Sequence, residues 1–372
     1  MTAKDRNSVI DLLKAFGIVL MVFGHSGFPF TKFIYLFHMA IFFMASGFCF
    51  NERNSESFHD FVVFLKRKFL NLWIPYVVTV CLFTLLHNFF IKVHIYTIIP
   101  IDLTRGGGVT VVWSFYKILK NILLSLLLSG SAGQMGGALW FIAILMKISV
   151  LYCFIDFCLK KIIKNDFIHI VVQLILSILL LLIGFYFHIK TIEFLSLDKV
   201  FSYYILFFLG FFIKRVGLIL KEGSNYFIHF TILIFSFFIL SLLNRYGSIA
   251  LDKTNYENPI FLILSSIMGF YFLWEISFFS QKVDKLSKLF IYIGQHTLII
   301  VILHFLSFKL VTLIQIYIYR EEIEYLSAFP VLYTHGGWWL FYAVIGIGYP
   351  LLTEYCFKRF VRGIKQRRTS VI

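Results

Sequence analysis

Long apolar runs recur along this chain, and they restrict its possible folds more than any other feature. About 20 apolar residues in a helix cross a bilayer, and backbone groups in hydrocarbon must bond internally, so such runs fold as helices. The runs are too long for the strands of a β-barrel. We therefore predict an all-α, polytopic membrane protein with about ten transmembrane helices, at residues 10–27, 33–50, 70–90, 139–158, 167–187, 200–214, 227–243, 259–279, 290–312 and 338–357.

The composition supports a membrane protein and argues against a soluble one. Of the 372 residues, 60% are hydrophobic and only 14% are charged. We see no hydrophilic stretch long enough for a second domain, so residues 1–372 are predicted to form one membrane-embedded domain. The net charge of +15 does not indicate a nucleic-acid partner, because lysine and arginine are scattered between the apolar runs. The expected partner is the lipid bilayer.

The distribution of lysine and arginine predicts the orientation of the chain in the membrane. With the N-terminus in the cytoplasm, the inner segments hold 21 of these residues and the outer segments hold ten. Cytoplasmic segments of membrane proteins carry such an excess of positive charge. Both termini are therefore predicted to be cytoplasmic, in a multi-pass protein of the cell (inner) membrane.

Residues 109–128 are apolar enough to be considered as an eleventh span, but their pattern is amphipathic. Ser114, Lys117, Asn121 and Ser125 share one helical face, and the apolar residues share the other. A helix of this kind lies at the membrane surface. We predict one interfacial helix in an outer loop.

Ionisable residues follow one stripe of the first predicted span. Asp11, Lys14 and His25 are separated by three and eleven residues, which brings them to nearly the same helical face. Lys14 and His25 would lie about 16 Å apart along the axis. Ionisable groups in hydrocarbon are costly, so they are functional candidates. A structural role is the alternative for each, because a buried histidine can simply bond a neighbouring helix and a lysine can extend to the interface.

The spacing of Lys14 and His25 resembles the Arg/Lys-x10-His motif of the acyltransferase-3 family of integral-membrane acyltransferases. The segment FHMAIFFMASGF, residues 37–48, is similar to the second-helix signature of that family, and LWFIAIL, residues 139–145, also resembles it. The segment IGQHTLIIVILHF, residues 293–305, resembles its late Gly-x-x-Ser region followed by histidine, with Thr297 in place of serine. The fucose 4-O-acetylase-like members are the most similar. The resemblance implies a membrane O-acyltransferase that moves acetyl from acetyl-CoA to a hydroxyl of a surface glycan or lipid-linked sugar.

The resemblance also implies roles for residues of the first two spans. His25 is the expected general base or transient acyl carrier, since imidazole suits either role near neutral pH, and the two alternatives stay open. The predicted catalytic residues are His25, Lys14 and His38.

Other residues are expected to bind the two substrates. A basic cluster precedes Pro75 and would bind the donor phosphates by charge-assisted bonds together with Lys14; it consists of Lys66, Arg67 and Lys68. Trp140, His304 and Asp11 are expected at the acceptor or as support for these groups, although Asp11 lies too deep to orient His25 and is expected to pair with Lys14. The histidines lack carboxylates at ligand spacing, so no metal is expected.

Three other classes of protein remain as alternatives. A polysaccharide polymerase would normally have a large, polar outer loop, whereas the loop of residues 91–138 is mostly apolar and glycine-rich. A transporter or flippase of lipid-linked sugars would explain ten spans with buried charges, but it predicts paired broken helices in two related halves. A noncatalytic scaffold would have little use for the stripe of Asp11, Lys14 and His25. The five cysteines follow no metal-ligand pattern and are interpreted as small buried apolar residues.

Overall fold

The computed structural model describes residues 8–99, 110–130, 133–192, 194–219 and 225–369, with side chains described to residue 362. Lys4, Arg6, Arg105 and Lys221, which contribute to the predicted orientation, lie outside the described residues.

Helices account for nearly all of the regular structure. Within the described residues they are α1 (Ser8–His25), α2 (Thr31–Tyr35), α3 (Ala40–Phe48), α4 (Phe58–Lys68), α5 (Ile74–Leu85), α6 (His87–Lys92), α7 (Phe115–Leu127), α8 (Leu139–Ile162), α9 (Asp166–Ile189), α10 (Leu197–Val216), α11 (Tyr226–Tyr246), α12 (Pro259–Ser280), α13 (Asp284–Gln295), α14 (Thr297–Tyr319) and α15 (Trp338–Thr369). One π-helical segment, Phe69–Trp73, joins α4 to α5. A two-stranded antiparallel hairpin, β1 (Ile249–Ala250) and β2 (Asn255–Tyr256), is the small departure from the all-α prediction.

Ten helical segments within the described residues are long and apolar enough to cross a membrane, as predicted. They are Ser8–His25, Thr31–Phe48, Phe58–Leu85, Leu139–Ile162, Asp166–Ile189, Phe194–Val216, Tyr226–Tyr246, Pro259–Ser280, Thr297–Tyr319 and His335–Arg362. Lipid-facing character differs among them: α9 and α11 carry large exposed apolar side chains along most of their length, whereas α1, α3 and α10 are largely buried. Helices α1, α3 and α10 therefore form the centre of the molecule.

Two span boundaries differ from the predicted ones. The third segment begins at Phe58 rather than at residue 70, because α4, the π-helical segment and α5 form one continuous helix that includes the basic cluster. The ninth run is divided at His296: α13 ends at Gln295, and the membrane-length helix is α14. Four consecutive residues, Gly294 to Thr297, interrupt the apolar pattern of residues 290–312 at this division, which the prediction of one continuous span overlooked.

The second segment is also interrupted. α2 ends at Tyr35 and α3 begins at Ala40, and the four residues between them form turns. His38 lies in this interruption, where its backbone N–H donates to the Ile34 carbonyl at 3.1 Å. Sequence periodicity predicts a continuous helix here; the turns set the direction in which the His38 side chain leaves the backbone.

α7 corresponds to the predicted amphipathic helix. Its 13 residues are too few to cross a bilayer, and Phe115, Leu119 and Leu123 are exposed on its apolar face. Ser114 caps its N-terminus by accepting a hydrogen bond from the Lys117 backbone N–H at 3.3 Å. The helix packs beside α5 through the hydroxyl of Tyr76, which donates to the Ser125 carbonyl at 2.6 Å.

Glycines allow central helices to pack with their backbones in contact. A Cβ added at Gly47 of α3 would collide with the Phe207 carbonyl of α10, and one at Gly210 would collide with the Met44 carbonyl. A Cβ at Gly294 would likewise collide with the Asp11 carbonyl of α1. Small residues at such crossings are the usual means of close helix packing in membranes.

Candidate active site

A large cavity opens between α1, α3, α4, α8 and the α13–α14 junction. Its volume is about 800 Å³. The wall is apolar on the α8 side, where Phe141, Ile142 and Leu145 line it. The polar and charged lining residues are Lys14, Ser46, Asn51, Asn54, Arg67, Lys68, Asn71, Gln295 and Thr297.

The charge in the large cavity is positive. Lys14, Arg67 and Lys68 line it, and no aspartate or glutamate occurs among the described lining residues. Lys68 lies 3.5 Å from the Ser46 hydroxyl, and Arg67 donates to Asn54 Oδ1 at 2.6 Å. Three cations within one cavity repel each other, so an anionic group that neutralises them is stabilised there. The cavity can accept a phosphate-bearing molecule.

The predicted donor residues are therefore brought together, except for Lys66. This residue precedes Arg67 but is exposed and is not part of the cavity lining. Successive residues of a helix point about 100° apart, which explains why Lys66 diverges from its two neighbours.

The π-helical segment adjusts the wall of this cavity. Pro75 has no N–H and cannot bond the Asn71 carbonyl four residues before it, which favours a wider turn at this point. Asn71 and Leu72 of the widened turn both line the cavity. The basic residues one turn earlier and these two residues therefore face the same space.

Asp11 supports the cavity from behind and does not line it. Its side chain is only 3% exposed, and its Oδ1 lies 4.0 Å from Lys14 Nζ, the ion pair predicted from the three-residue spacing. Gln295 Nε2 donates to Asp11 Oδ2 at 3.2 Å. The carboxylate pairs with Lys14 and connects α1 to the end of α13.

A second, smaller cavity of about 120 Å³ contains the histidines of the first two membrane segments. His25, Tyr35, His38 and Trp140 line it together with Asp252 of the loop after β1. The residues from Ile249 to Asp252 cover one side of the cavity, so the hairpin loop forms part of its wall. Three predicted site residues from three different membrane segments thus meet here.

Hydrogen bonds around His25 determine which ring nitrogen is free. The Tyr35 hydroxyl donates to the Gly24 carbonyl at 3.1 Å and lies 3.4 Å from His25 Nδ1. Because the single hydroxyl proton goes to the carbonyl, the proton between Tyr35 and His25 is on Nδ1. In neutral His25 the lone pair is then on Nε2, which is the arrangement that a general base requires.

His38 and His304 are held in the same tautomer. His38 Nδ1 lies 3.1 Å from the Ile34 carbonyl, and His304 Nδ1 lies 3.0 Å from the Ile300 carbonyl. Carbonyl oxygens only accept, so both Nδ1 atoms carry a proton and both Nε2 atoms are acceptors in the neutral rings. Within the described part of the chain, His304 Nε2 is buried and has no hydrogen-bond partner.

His304 contacts His25 directly. The two rings stack with centroids 5.5 Å apart, and Phe305 packs against His25 at 4.9 Å. His304 lies about two turns from the start of α14, so the divided ninth segment brings it to the end of α1. This contact places the His304 ring against the His25 ring.

The two cavities adjoin along α1 and α8. Lys14 lines the large cavity and His25 the small one; Phe141 lines the large cavity and its neighbour Trp140 the small one. The rings of Phe42 and Phe141 pack 5.4 Å apart in the wall of the large cavity. Helices α1 and α8 therefore each contribute to the walls of both cavities.

Several polar residues of these cavities were not singled out from the sequence. Tyr35 could have been found, because it precedes His38 by three residues and shares its helical face. Asn54, Gln295 and Asp252 could not, since each belongs to a turn or a helix junction that only the tertiary structure brings to the cavities.

These features define a multi-pass membrane protein in which a basic cavity adjoins a cavity lined with histidines. The chain matches the family model described as an acyltransferase domain over residues 7–354, which is almost its whole length. It belongs to the acyltransferase-3 family, as the Lys14–His25 spacing indicated, and family membership makes it a membrane acyltransferase. Comparison with curated proteins and with solved structures gave no match.

Proposed function

We propose that this protein is an O-acyltransferase that transfers acetyl from acetyl-CoA to a hydroxyl of a surface glycan or a lipid-linked sugar. The observation that carries the proposal is the junction of the two cavities, one able to bind phosphates and one containing His25. The large cavity receives the donor from the cytoplasmic side, and Lys14, Arg67 and Lys68 bind its phosphates by charge-assisted bonds. The narrow pantetheine arm extends along the apolar α8 wall towards His25.

The histidine cavity performs the transfer. His25 Nε2 removes the proton from the acceptor hydroxyl as the oxygen attacks the thioester carbonyl. The tetrahedral intermediate collapses, the carbon–sulfur bond breaks, and the thiolate leaves as coenzyme A after taking the proton from the His25 imidazolium. Tyr35 keeps the proton on Nδ1, and His304 keeps the ring in place. Transfer through an acetyl-imidazole on His25 uses the same residues in two steps.

Trp140, His38 and Asp252 form the acceptor side of the small cavity in this proposal. The indole offers an apolar face of the kind that packs against sugar rings, and His38 Nε2 can accept a hydrogen bond from a hydroxyl. Asp252 is exposed at the loop and can accept from further hydroxyls. The acceptor enters from the side of the hairpin loop, which is the outer face in the predicted orientation.

The experiment is acetyl transfer by purified protein in lipid, with radiolabelled acetyl-CoA and a glycan fraction of the host as acceptor. We expect transfer by the wild type and by His59→Ala, because His59 is exposed on α4 and outside both cavities. His25→Ala should retain donor binding and lose transfer by at least a hundredfold, the lower range for general-base catalysis. Folded wild-type protein that neither binds nor consumes acetyl-CoA would overturn the proposal, and transport of lipid-linked sugars would then be tested.

A further inference from the structure

A third cavity lies beside the same helix junction but is lined by other residues. It has a volume of about 380 Å³ and lies between α13 and the C-terminal part of α15. Tyr292, His296, Tyr355, Lys358, Arg359 and Arg362 line it. The acyl-transfer proposal uses none of these residues.

Helical spacing accounts for the assembly of this cavity. Tyr355, Arg359 and Arg362 follow at intervals of four and three residues, so they share one face of α15. Tyr292 and His296 are four residues apart on α13 and its end, and their rings lie 4.2 Å apart. His296 Nδ1 is 2.7 Å from the Tyr292 carbonyl, which leaves Nε2 available to a ligand. Two aromatic rings therefore face a basic helix surface.

The cavity has uncompensated positive charge. Lys358 pairs with Glu354 at 2.6 Å. In the described part of the chain, neither Arg359 nor Arg362 pairs with a carboxylate, and no acidic residue is among the described lining residues. Guanidinium groups bind phosphate oxygens through two parallel hydrogen bonds, so two arginines at adjacent turns fit one phosphate group.

The position of the cavity on α15 indicates the source of the phosphate. α15 exposes apolar side chains such as Leu340, Val344 and Leu352 along the segment long enough to cross the membrane. The basic residues begin at Lys358, near the end of that segment, where lipid headgroups lie. In the predicted orientation this is the cytoplasmic leaflet, which carries anionic lipids. Acyl chains can extend from the cavity along the exposed apolar face of α15.

We propose that the cavity between α13 and α15 binds the phosphate headgroup of an anionic phospholipid. The headgroup phosphate lies between Arg359 and Arg362, and Tyr292 and Tyr355 donate to its oxygens. This proposed lipid site does not depend on which acyl donor or acceptor the protein uses.

The experiment measures lipid binding to the detergent-purified full chain by native mass spectrometry, with phosphatidylglycerol or phosphatidylcholine added. We expect wild type to bind phosphatidylglycerol at least tenfold more tightly than phosphatidylcholine. The variant Arg359→Gln/Arg362→Gln should lose at least tenfold in affinity for phosphatidylglycerol. The matched control is Lys161→Gln/Lys164→Gln, which removes the same charge from the end of α8, outside this cavity, and should bind as wild type does.

Three results would overturn the proposal: equal binding of the two lipids, an equal loss in the control variant, or displacement of phosphatidylglycerol by millimolar inorganic phosphate or coenzyme A. The last result would assign the cavity to a soluble phosphate compound. If the double variant does not elute as a monodisperse protein, Arg359→Gln alone serves, with an expected loss of at least threefold.

Discussion

Tyr35 is the residue on which the tautomer of His25 depends. Its hydroxyl, placed between the Gly24 carbonyl and His25 Nδ1, fixes the proton on Nδ1 and leaves the other nitrogen unprotonated. We predict that Tyr35→Phe lowers kcat for acetyl transfer about tenfold, because the loss of a hydrogen bond worth roughly 1–1.5 kcal/mol frees the ring to adopt unproductive states. The KM for acetyl-CoA should stay unchanged, since Tyr35 is not part of the large cavity.

Steady-state kinetics of Tyr35→Phe beside Tyr271→Phe measure this effect. Tyr271 also donates to a backbone carbonyl, that of Leu218 at 3.1 Å, but lies outside both cavities. Equal kinetic parameters for the two variants would contradict the role of Tyr35.

Arg67 and Lys68 are expected to contribute to the binding of acetyl-CoA. Replacing both with glutamine should raise the Kd for acetyl-CoA by tenfold or more, because each hydrogen bond to a charged group contributes roughly 1.5–3 kcal/mol. Lys66→Gln is the matched control and should leave the Kd unchanged, since Lys66 is exposed outside the cavity. Isothermal titration calorimetry at two salt concentrations measures the Kd for acetyl-CoA of the double variant and of the control. An equal rise in Kd for Lys66→Gln would mean that general surface charge, and not the cavity, attracts the donor.

The sequence singled out the ionisable residues that line the two cavities better than their partners. Lys14 and His25 were found because an ionisable stripe in an apolar helix is visible in one dimension. Gln295 was not found, because its contact with Asp11 spans nearly the whole length of the chain. Asp11 pairs with Lys14, as the three-residue spacing predicted, but spacing alone did not indicate that its carboxylate stays outside the lining of the large cavity.

The crossing of helices α3 and α10 requires glycine on both sides. A methyl group at Gly47 would occupy the position of the Phe207 carbonyl, so the helices would have to separate. We predict that Gly47→Ala destabilises the protein by roughly 1–3 kcal/mol, the usual cost of overpacking. Gly348→Ala on α15 is the matched control, because a Cβ there meets nothing within 4 Å.

The two glycine variants are compared by thermal unfolding in detergent. The fraction of protein that remains monodisperse after heating is measured. An unfolding temperature for Gly47→Ala equal to that of Gly348→Ala would show that the crossing can relax at no cost.

Of the two interruptions of the predicted helices, the one at His38 carries no signal in the sequence. The apolar runs predicted the ten spans because hydrophobicity alone determines whether a segment enters the bilayer. The turns at His38 contain no proline and lie within strongly apolar sequence, whereas the division at His296 coincides with the glycine and polar residues 294–297. They result from packing between segments: Gly294 approaches the α1 backbone closely, and α14 can then start beside α1.

The ten membrane-length segments found among the described residues, if each crosses once, place Ser8 and Arg362 on the same side of the membrane. The lysine and arginine distribution predicts that this side is the cytoplasm. Lys253→Cys, in the hairpin loop, should then react with an impermeant maleimide added to intact cells, and Lys161→Cys should react only after permeabilisation.

The parent chain is the control for this labelling, since Cys49 and Cys356 are exposed and lie at ends predicted to be cytoplasmic. Labelling of Lys161→Cys in intact cells would show that the predicted orientation is wrong. The sides proposed for donor and acceptor would then be exchanged.

The α13–α14 segment contacts both ends of α1, through Gln295 at Asp11 and through His304 at His25. Any substitution that displaces this segment alters the large cavity and His25 together, so under the proposed function a change of acceptor is not expected to arise there. The hairpin loop from Ile249 to Asp252 touches the small cavity alone. Relatives that modify different sugars should therefore have diverged in that loop while the segment beside α1 changed slowly.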